Sequence, residues 1–513
     1  MRGVDYQPLS FFLIMKGLLL FVFLTLALSS RASSDFNTHC QTAYSEIICL
    51  RFDAARKILA SEKKTNPSNT IPFLLENYIS FLSVMISEEE KDLKILLDNK
   101  DLNLQHLSKG DRNSPWFLYS QAEVFLQAGM AKVKFQEYLS AGLDINRAYR
   151  LLTENEKKFP AFMPAKIRIG LLHSLVGTVP DQYKWAARAL DFQGSIPQGI
   201  GELKQAYLQC LSNPANSTFI PEALFLLSFV SINLSGDRTS ANELVKEFQK
   251  PAIDLWVKNS PLITYCLANV YQKSSRNDEA IKTLESFQPA PGQYHFYYLD
   301  YLLGVARLNR LDPDAHLPLL KYLASFKGMN YIRAAYQNLA WYYLIQGNRE
   351  KYNVYMDRIF LRGSKQVDND VQALQNAEKK QVPDINLLKA RLLFDGGYHE
   401  KCSSMLDKFA ESNAMNMPEL RLEYTYRKAR LLDEWGKIPE AVTWYKKTIS
   451  TGKSYPSYFA ANSALHLGMI SEQAGKTTEA EEYYKLCLDL EFTEYHFSIT
   501  QKAKSGLNRI KNR

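Results

Sequence analysis

The chain has 513 residues, 46% hydrophobic and 23% charged, which is too apolar for a disordered polymer and too long for one compact core. Its formal charge of +8 is dispersed, with no Lys/Arg block interleaved with aromatics, so composition argues against a nucleic-acid partner. With 30 Tyr and 27 Phe against 23 Gly, and no run of strict apolar alternation, the expectation is helices rather than glycine-linked strands.

Residues 1–32 read as a secretory leader. Lys16 precedes an apolar run from Gly17 to Leu28, and Ser30-Arg31-Ala32 supplies a small-x-small exit. The run is shorter than the roughly 20 residues a bilayer span needs, and no further span is read downstream. Cleavage near Ala32 removes three basic residues and one acidic one, leaving +6 on an exported chain, periplasmic or secreted. A start at Met15 gives the more orthodox leader Met15-Lys16-Gly17-Leu18. No Cys closes the apolar run, and Cys40 lies too far downstream for a lipid-modified precursor. Six Cys in so long a chain are not a disulfide framework, and Cys266, Cys402 and Cys487 read as core thiols. Cys40 and Cys49 would be separated by about 13.5 Å on one helix, so only a break between them permits a bridge.

Helical spacing runs from Thr38 to Lys64, through Tyr44, Ile47, Ile48, Phe52, Ala55, Ile58 and Leu59, and stops at Asn66-Pro67. A second helix, apolar nearly all round, covers Phe73 to Ile86, and the polar Leu102–Asn113 reads as a loop. Ser114-Pro115 is an N-cap with Pro at the first helical position, opening a helix to Gln127 that ends at Gly129, with Ala131–Leu139 as its partner. Helices from Asp144 to Phe159 and from Pro164 to Val176 follow. Gly194–Gly201, with Pro197, is the expected break between an irregular helical N-terminal domain (33–200) and a regular array (201–513).

The array carries the strongest signal, because Pro383–Ile499 repeats itself at a spacing of 39 residues. Lys389-Ala390-Arg391-Leu392-Leu393 returns as Lys428-Ala429-Arg430-Leu431-Leu432 and, degenerate, as Leu467-Gly468-Met469-Ile470-Ser471. The same shift carries Gly397 onto Gly436 and Gly475, Cys402 onto Ala441 and Ala480, and Leu406 onto Tyr445 and Tyr484. Each unit reads as two helices: the first holds a small residue where its partner comes close, a glycine makes the turn, and an apolar stripe follows. Extended backwards, the small-residue anchors are Phe229, Ala268, Gly304, Ala340, Ala390, Ala429 and Gly468, at steps of 39, 36, 36, 50, 39 and 39. The stripes Ala241-Val245-Phe248, Ala280-Leu284-Phe287 and Tyr352-Met356-Ile359 agree with that register. The long step holds an insertion, residues 363–381, in which Val371, Leu374 and Ala377 fit one extra helix. Lys502–Arg513 reads as a basic capping helix.

This pattern resembles the tetratricopeptide repeat (TPR), whose unit is about 34 residues with small residues at these offsets. The segment from Gly170 to Trp185 is similar to one in uncharacterised exported TPR proteins of bacteria, and faintly to eukaryotic helical repeat proteins associated with inclusion clearance, over about one hairpin. The resemblance implies an all-α, TPR-like α-solenoid, a right-handed superhelical stack of antiparallel helix pairs. It also implies a concave groove lined by first-helix residues six and three before each anchor and one and four after it. Carried onto this chain, those offsets select Tyr265, Asn269, Tyr298, Tyr301, Gln337, Trp341, Arg391, Glu423, Tyr426 and Arg430 as partner-binding positions. They also reach Phe394, Asp433, Asn462 and Glu472. Tyr, Trp and Arg supply contact area and directed bonding at low entropic cost. The competing expectation is that Tyr298, Tyr301 and Trp341 pack against neighbouring repeats. The carboxylate clamp of chaperone-binding TPRs has only Asn269, Arg391 and Arg430 here, in units too far apart.

Motifs for chemistry are missing. Gly475-Lys476-Thr477 has the tail of a phosphate loop, but position 470 is Ile470 rather than Gly. The eight His form no metal-ligand spacing, no G-x-S-x-G elbow is present, and Glu88-Glu89-Glu90 and Glu481-Glu482 read as solvated faces. No catalytic, cofactor-binding or metal-ligating residue is therefore assigned, and no cofactor is expected. The reading is a non-enzymatic scaffold binding a protein or peptide segment in the groove, without nucleic acid and without a transmembrane span after leader cleavage. Two alternatives stand beside it: an outer-membrane-associated nutrient or glycan binder, and an enzyme with its site near His173 and Asp181.

Overall fold

The computed structural model describes residues 34–177, 193–235 and 238–511. The expected leader (residues 1–32), Met15 within it and Asp181 lie outside them. Twenty-five α-helices and no strand occur among the described residues, which is the architecture of an all-α, TPR-like solenoid. They divide into two compact units: unit 1 runs to Ser235 and takes in residues 290–295, and unit 2 comprises the rest. The division falls beyond the Gly194–Gly201 break expected from sequence. Gly199 and Gly201 belong to a helix, Ile196–Ser212, in which Gly199 lies so close to Met163–Val176 that a Cβ there would stand 2.0 Å from Ser174 Oγ. Gly199 thus serves helix packing.

Unit 1 holds α1 (Thr38–Ile48), α2 (Phe52–Thr65), α3 (Ile71–Ser87), α4 (Glu90–Leu107), α5 (Pro115–Lys134), α6 (Tyr138–Lys158), α7 (Met163–Val176), α8 (Ile196–Ser212) and α9 (Ile220–Val230). The single helix expected over 38–64 is thus two, parted by Leu50 at φ 56°. Cys40 and Cys49 stay on the same side of that break, and all six Cys are free and buried. Burial pushes the Cys40, Cys210, Cys402 and Cys487 thiols up to about 12. The loop expected from Leu102 is helical to Leu107, because Leu93, Leu96 and Leu107 are all buried. Gly129 does not end its helix. It lets α6 approach α5, and a Cβ there would meet Ile145 Cγ1 at 2.7 Å. Glu88, expected on a solvated face, is buried against Lys134 Nζ at 2.7 Å. Phe229 fails as a repeat anchor: it is 41% exposed on α9, in unit 1, while its supposed stripe lies in unit 2.

The interior of unit 1 is threaded by polar bonds. Arg168 on α7 donates from Nε to Glu123 at 2.7 Å, and from Nη2 to Tyr78 OH at 2.6 Å and to Glu222 at 2.5 Å. Tyr44 OH donates to the other Glu222 oxygen at 2.5 Å. From Glu123 the chain of bonds continues through Gln127 (2.9 Å) and Asn77 (2.7 Å) to Asn103 (3.1 Å). Among the described residues one apolar stretch, Pro214–Leu234, has the length and composition to cross a membrane, where no span is expected from sequence downstream of residue 32. It contains Glu222, and 61% of its apolar window is buried inside the protein.

Unit 2 holds α10 (Arg238–Phe248), α11 (Pro251–Asn259), α12 (Pro261–Lys273), α13 (Asn277–Ser286), α14 (Tyr298–Arg310), α15 (His316–Ser325), α16 (Ile332–Ile345), α17 (Arg349–Arg358), α18 (Asp368–Lys379), α19 (Ile385–Asp395), α20 (His399–Ala410), α21 (Pro418–Glu434), α22 (Ile438–Gly452), α23 (Phe459–Gln473), α24 (Thr477–Asp489) and α25 (His496–Lys511). The anchors Ala268, Ala340, Ala390 and Ala429 are fully buried, as are Ala280, Leu406, Tyr445 and Tyr484 on the facing stripes or nearly so. Seven residues after every anchor the backbone turns left-handed, at Ser275, Leu311, Gly347, Gly397, Gly436 and Gly475, with φ between 59° and 80°. One residue later the amide N–H closes the first helix, donating to the carbonyl five residues back at 2.8–3.0 Å in all six units. That bond is the six-to-one closure of a helix C-terminus.

The same register recurs in unit 1, where sequence reading expects irregularity. Ala43 is followed by Leu50 at φ 56° and by the bond from Arg51 N to Glu46 O (2.8 Å), with Ala55 and Leu59 buried opposite. Gly129 is followed by Gln136 at φ 66° and the bond from Glu137 N to Lys132 O (2.9 Å), with Ala141 and Ala148 opposite. The insertion in unit 2 is helical as expected, with Ala373, Leu374 and Ala377 buried, and Asp370 caps α16 by accepting from Ala334 N at 2.8 Å.

Candidate functional site

In unit 2 the first helices of successive hairpins share one face, and the turns of non-adjacent hairpins meet there. A Cβ on Gly397 would stand 2.5 Å from Ser275 O, and Tyr398 OH donates to Asp278 at 2.8 Å. The face is therefore tightly wound, and much of it is filled by its own side chains. Tyr298, Tyr301, Gln337, Trp341 and Tyr426 are each less than 9% exposed. Tyr298 and Tyr301 belong to a ring cluster with Tyr322 and Tyr331, centroids 4.9–6.3 Å apart. Tyr265 sits edge-on to Phe296 at 5.3 Å, and burial pushes its hydroxyl up to about 12. Asn269 turns back to the Tyr265 carbonyl at 2.8 Å.

The structure brings the later positions together as a second cluster. The Arg391 guanidinium lies 4.8 Å from the Trp341 ring centre, and that of Arg430 lies 4.8 Å from Phe394. Arg430 Nη1 also donates to Tyr426 OH at 3.0 Å, which accepts a further bond from Asn462 at 2.6 Å. Glu423 is held by Arg427, whose Nε donates at 2.7 Å. Arg391 and Glu423 keep 24% and 21% of their side chains exposed. Guanidiniums stacked on aromatic faces keep their in-plane donors free for carboxylates or hydroxyls, and stacking lowers the entropy lost on binding.

Three groups here escape the offsets used on the sequence. Tyr458 packs edge-on to Tyr426 at 5.5 Å. Tyr495, from beyond the last hairpin, receives a 2.7 Å bond from Arg391 Nη2. Tyr445 OH donates to Asp433 at 2.9 Å, and one repeat later Tyr484 OH donates to Glu472 at 2.7 Å. That last pairing was readable, since an acid and a Tyr twelve residues apart recur at the repeat spacing. His466 stacks on Tyr445, and burial followed by the Arg430 charge pushes its imidazole down to about 4. Burial opposes the charge on Asp433, yet bonds from His466 and Tyr445 outweigh it and keep its carboxyl below the usual range. Both acids therefore serve the hairpins themselves.

The alternative centre in unit 1 is only partly described. His173 Nδ1 lies 2.7 Å from Glu202 Oε2, with Tyr149 OH 3.5 Å from Nε2, and Asp181 is outside the described residues. Among the described residues no group of three His, Cys, Asp or Glu is placed to hold a metal ion.

The family model for the tetratricopeptide repeat matches residues 461–493, which cover most of α23 and all of α24. The chain contains a tetratricopeptide repeat. A TPR is in general a protein–protein interaction scaffold, and the hairpin so matched carries the Gly468 anchor, the Gly475 turn and the Ala480-Tyr484 stripe. No curated protein matches the chain.

Proposed function

We propose that the protein is a non-enzymatic interaction scaffold, exported from its cell of origin, that captures a protein or peptide segment on the face formed by α16, α19, α21 and α23. The observation that carries this reading is the pair of stacked guanidiniums, Arg391 on Trp341 and Arg430 on Phe394, on one face of a TPR-bearing unit. Affinity comes from the aromatic bodies and selectivity from the Arg and Glu positions. Buried Tyr298 and Tyr301 then serve as support, and contact falls to the partly open Arg391, Glu423 and Arg430.

The test is photo-crosslinking in living cells from position 395, a 54% exposed site one helical turn from Arg391, followed by mass spectrometry. A partner crosslinked in the parent and lost in the Arg391→Ala/Arg430→Ala chain is the expected result, and unchanged capture removes the face from consideration. Export rests on the leader-like residues 1–32, and a mature N-terminus found near Ser33 is the matching result.

A further inference from the structure

The polar face described above is not empty, because the chain lays part of itself on it. Between α24 and α25 the backbone leaves helical geometry, and Glu494 and Tyr495 are delivered to the cluster more than a hundred residues from the groups they meet. Tyr495 OH accepts from Arg391 Nη2 at 2.7 Å, its ring stands edge-on to Tyr458 at 5.0 Å, and Glu494 is ion-paired with Lys379 of the insertion helix. Thr493 N donates to Pro456 O at 3.4 Å, so main chain and side chains are both engaged.

We propose that Glu494-Tyr495 is an internal occupant of the binding face, and that the partner's segment is of the same kind, a carboxylate followed by a phenolic or similar aromatic side chain that displaces it. The proposal rests on the function argued above and names its ligand class and its control.

Two observations fit a removable occupant better than a permanent strut. Tyr495 is held at φ 54°, a left-handed conformation that a residue with a Cβ rarely adopts and that release relieves. The helix that follows has anchors beyond Tyr495: Ile499, Ala503 and Ile510 lie in the terminal core, Gly506 lies under the Tyr484 ring, and Arg509 holds Glu472 at 2.8 Å. On the other side Phe492 is buried in the same core. The stretch 493–495 is thus a short loop between two fixed points; Tyr495 also packs on the edge of that core and its carbonyl accepts from Ile499 N at 3.0 Å, so an incoming segment must outweigh these contacts as well as those on the face. A tethered occupant acts at an effective concentration on the order of millimolar, so a free segment competes only when its own contacts exceed those of the loop.

The probe is a fluorescent peptide of residues 489–496, titrated by anisotropy into the full-length protein. A Glu494→Ala/Tyr495→Ala chain is expected to bind it at least about tenfold more tightly than the parent, since the internal competitor is gone. Adding Arg391→Ala should abolish the gain, and a peptide with Tyr495→Ala should not bind. Equal affinity for parent and loop variant, or a gain indifferent to Arg391, overturns the proposal. Should the loop variant fold poorly, hydrogen exchange over 490–496 in the parent decides: excess peptide must speed it, and unchanged exchange overturns the idea. If the peptide fails while crosslinks from position 395 persist, self-occupation falls and the scaffold function stands. If the peptide binds but no crosslink forms in cells, the partner half falls.

Discussion

The two units secure their interiors by different means. In unit 1 a guanidinium is buried between two carboxylates and three tyrosines, and its bonds tie α7 to α3, α5 and α9. In unit 2 each hairpin closes on small residues against apolar or Tyr side chains, and two of its acids pair with the stripe tyrosines, Asp433 with Tyr445 and Glu472 with Tyr484. A motif that asks only for a small residue, a left-handed turn and an apolar stripe can be copied at a fixed spacing. A network in which every polar atom depends on another element cannot. Exact sequence repetition in unit 2 and its lack in unit 1 therefore reflect the chemistry of the interior more than the shape of the hairpin, which recurs in both.

The sharpest way to break this comparison is to remove Arg168. Arg168→Ala leaves Glu123 and Glu222 without their cation, and loss of one partner from a buried ion network costs about 3–5 kcal/mol. Hydrogen exchange should show α3, α5 and α7 losing protection while the hairpins of unit 2 keep theirs. Arg168→Lys restores charge but not the three-way geometry, and should fall between the two. Equal loss in both units would mean that the interiors are not independent.

A second test uses pH and concerns Asp370, an acid fully buried in unit 2. Burial pushes the Asp370 carboxyl up to about 7, against the lowering effect of the α16 backbone amides and Arg333, and its second oxygen has no hydrogen-bond partner. A carboxyl whose folded pKa is raised contributes stability in full below its unfolded pKa, near 4, and loses it as pH rises through the folded value. Unit 2 should accordingly weaken by on the order of 2 kcal/mol between pH 5 and pH 8. Asp370→Asn keeps an acceptor for Ala334 N, and its melting temperature should be nearly flat over that range. A parent without this slope would place the carboxyl in a more hydrated setting.

The third test asks whether the hairpins of the two units obey one packing rule. A Cβ at Gly129 would meet Ile145 at 2.7 Å, and one at Gly468 would meet the Tyr484 ring at 2.6 Å. Gly129→Ala and Gly468→Ala should each cost about 1–3 kcal/mol through overpacking, read as shifts in denaturant midpoint. Similar costs would show that one close approach serves both units.

How much of this was legible depended on what the fold asks of each position. Ala390, Ala429 and Gly468, with Gly397, Gly436 and Gly475, were readable because close approach and left-handed φ both select residues lacking a bulky Cβ. The hairpins anchored at Ala43 and Gly129 were harder to find: Leu50 and Gln136 replace the turn glycine, as Ser275 and Leu311 do in unit 2, but no neighbouring unit at the repeat spacing supplies the register. The offset from anchor to stripe was the surviving signal, in Ala43-Ala55-Leu59. The Arg168 network has no spacing at all, since its members come from helices brought together only by the fold. Arg391 and Arg430 were legible as face positions. Their company was not, because Tyr495 reaches Arg391 across 104 residues of chain.

The smallest effects sit at those left-handed turns, and they are the most exact measure of how far the two kinds of hairpin are equivalent. At Gly436 a Cβ would meet nothing within 4 Å, so Gly436→Ala isolates the backbone term alone, at φ 69°. Its cost is about 1 kcal/mol. Ser275 and Gln136 already carry that strain, at φ 59° and 66°, in unit 2 and unit 1 respectively. Ser275→Gly and Gln136→Gly relieve it but also loosen the unfolded chain, so the net gain should be only a few tenths of a kcal/mol. Denaturant midpoints that rise for both, and fall for Gly436→Ala, would confirm one turn geometry in both units. A drop on Gln136→Gly would mean that its side chain contributes more to unit 1 than its conformation costs, and that the irregular unit has adapted this turn.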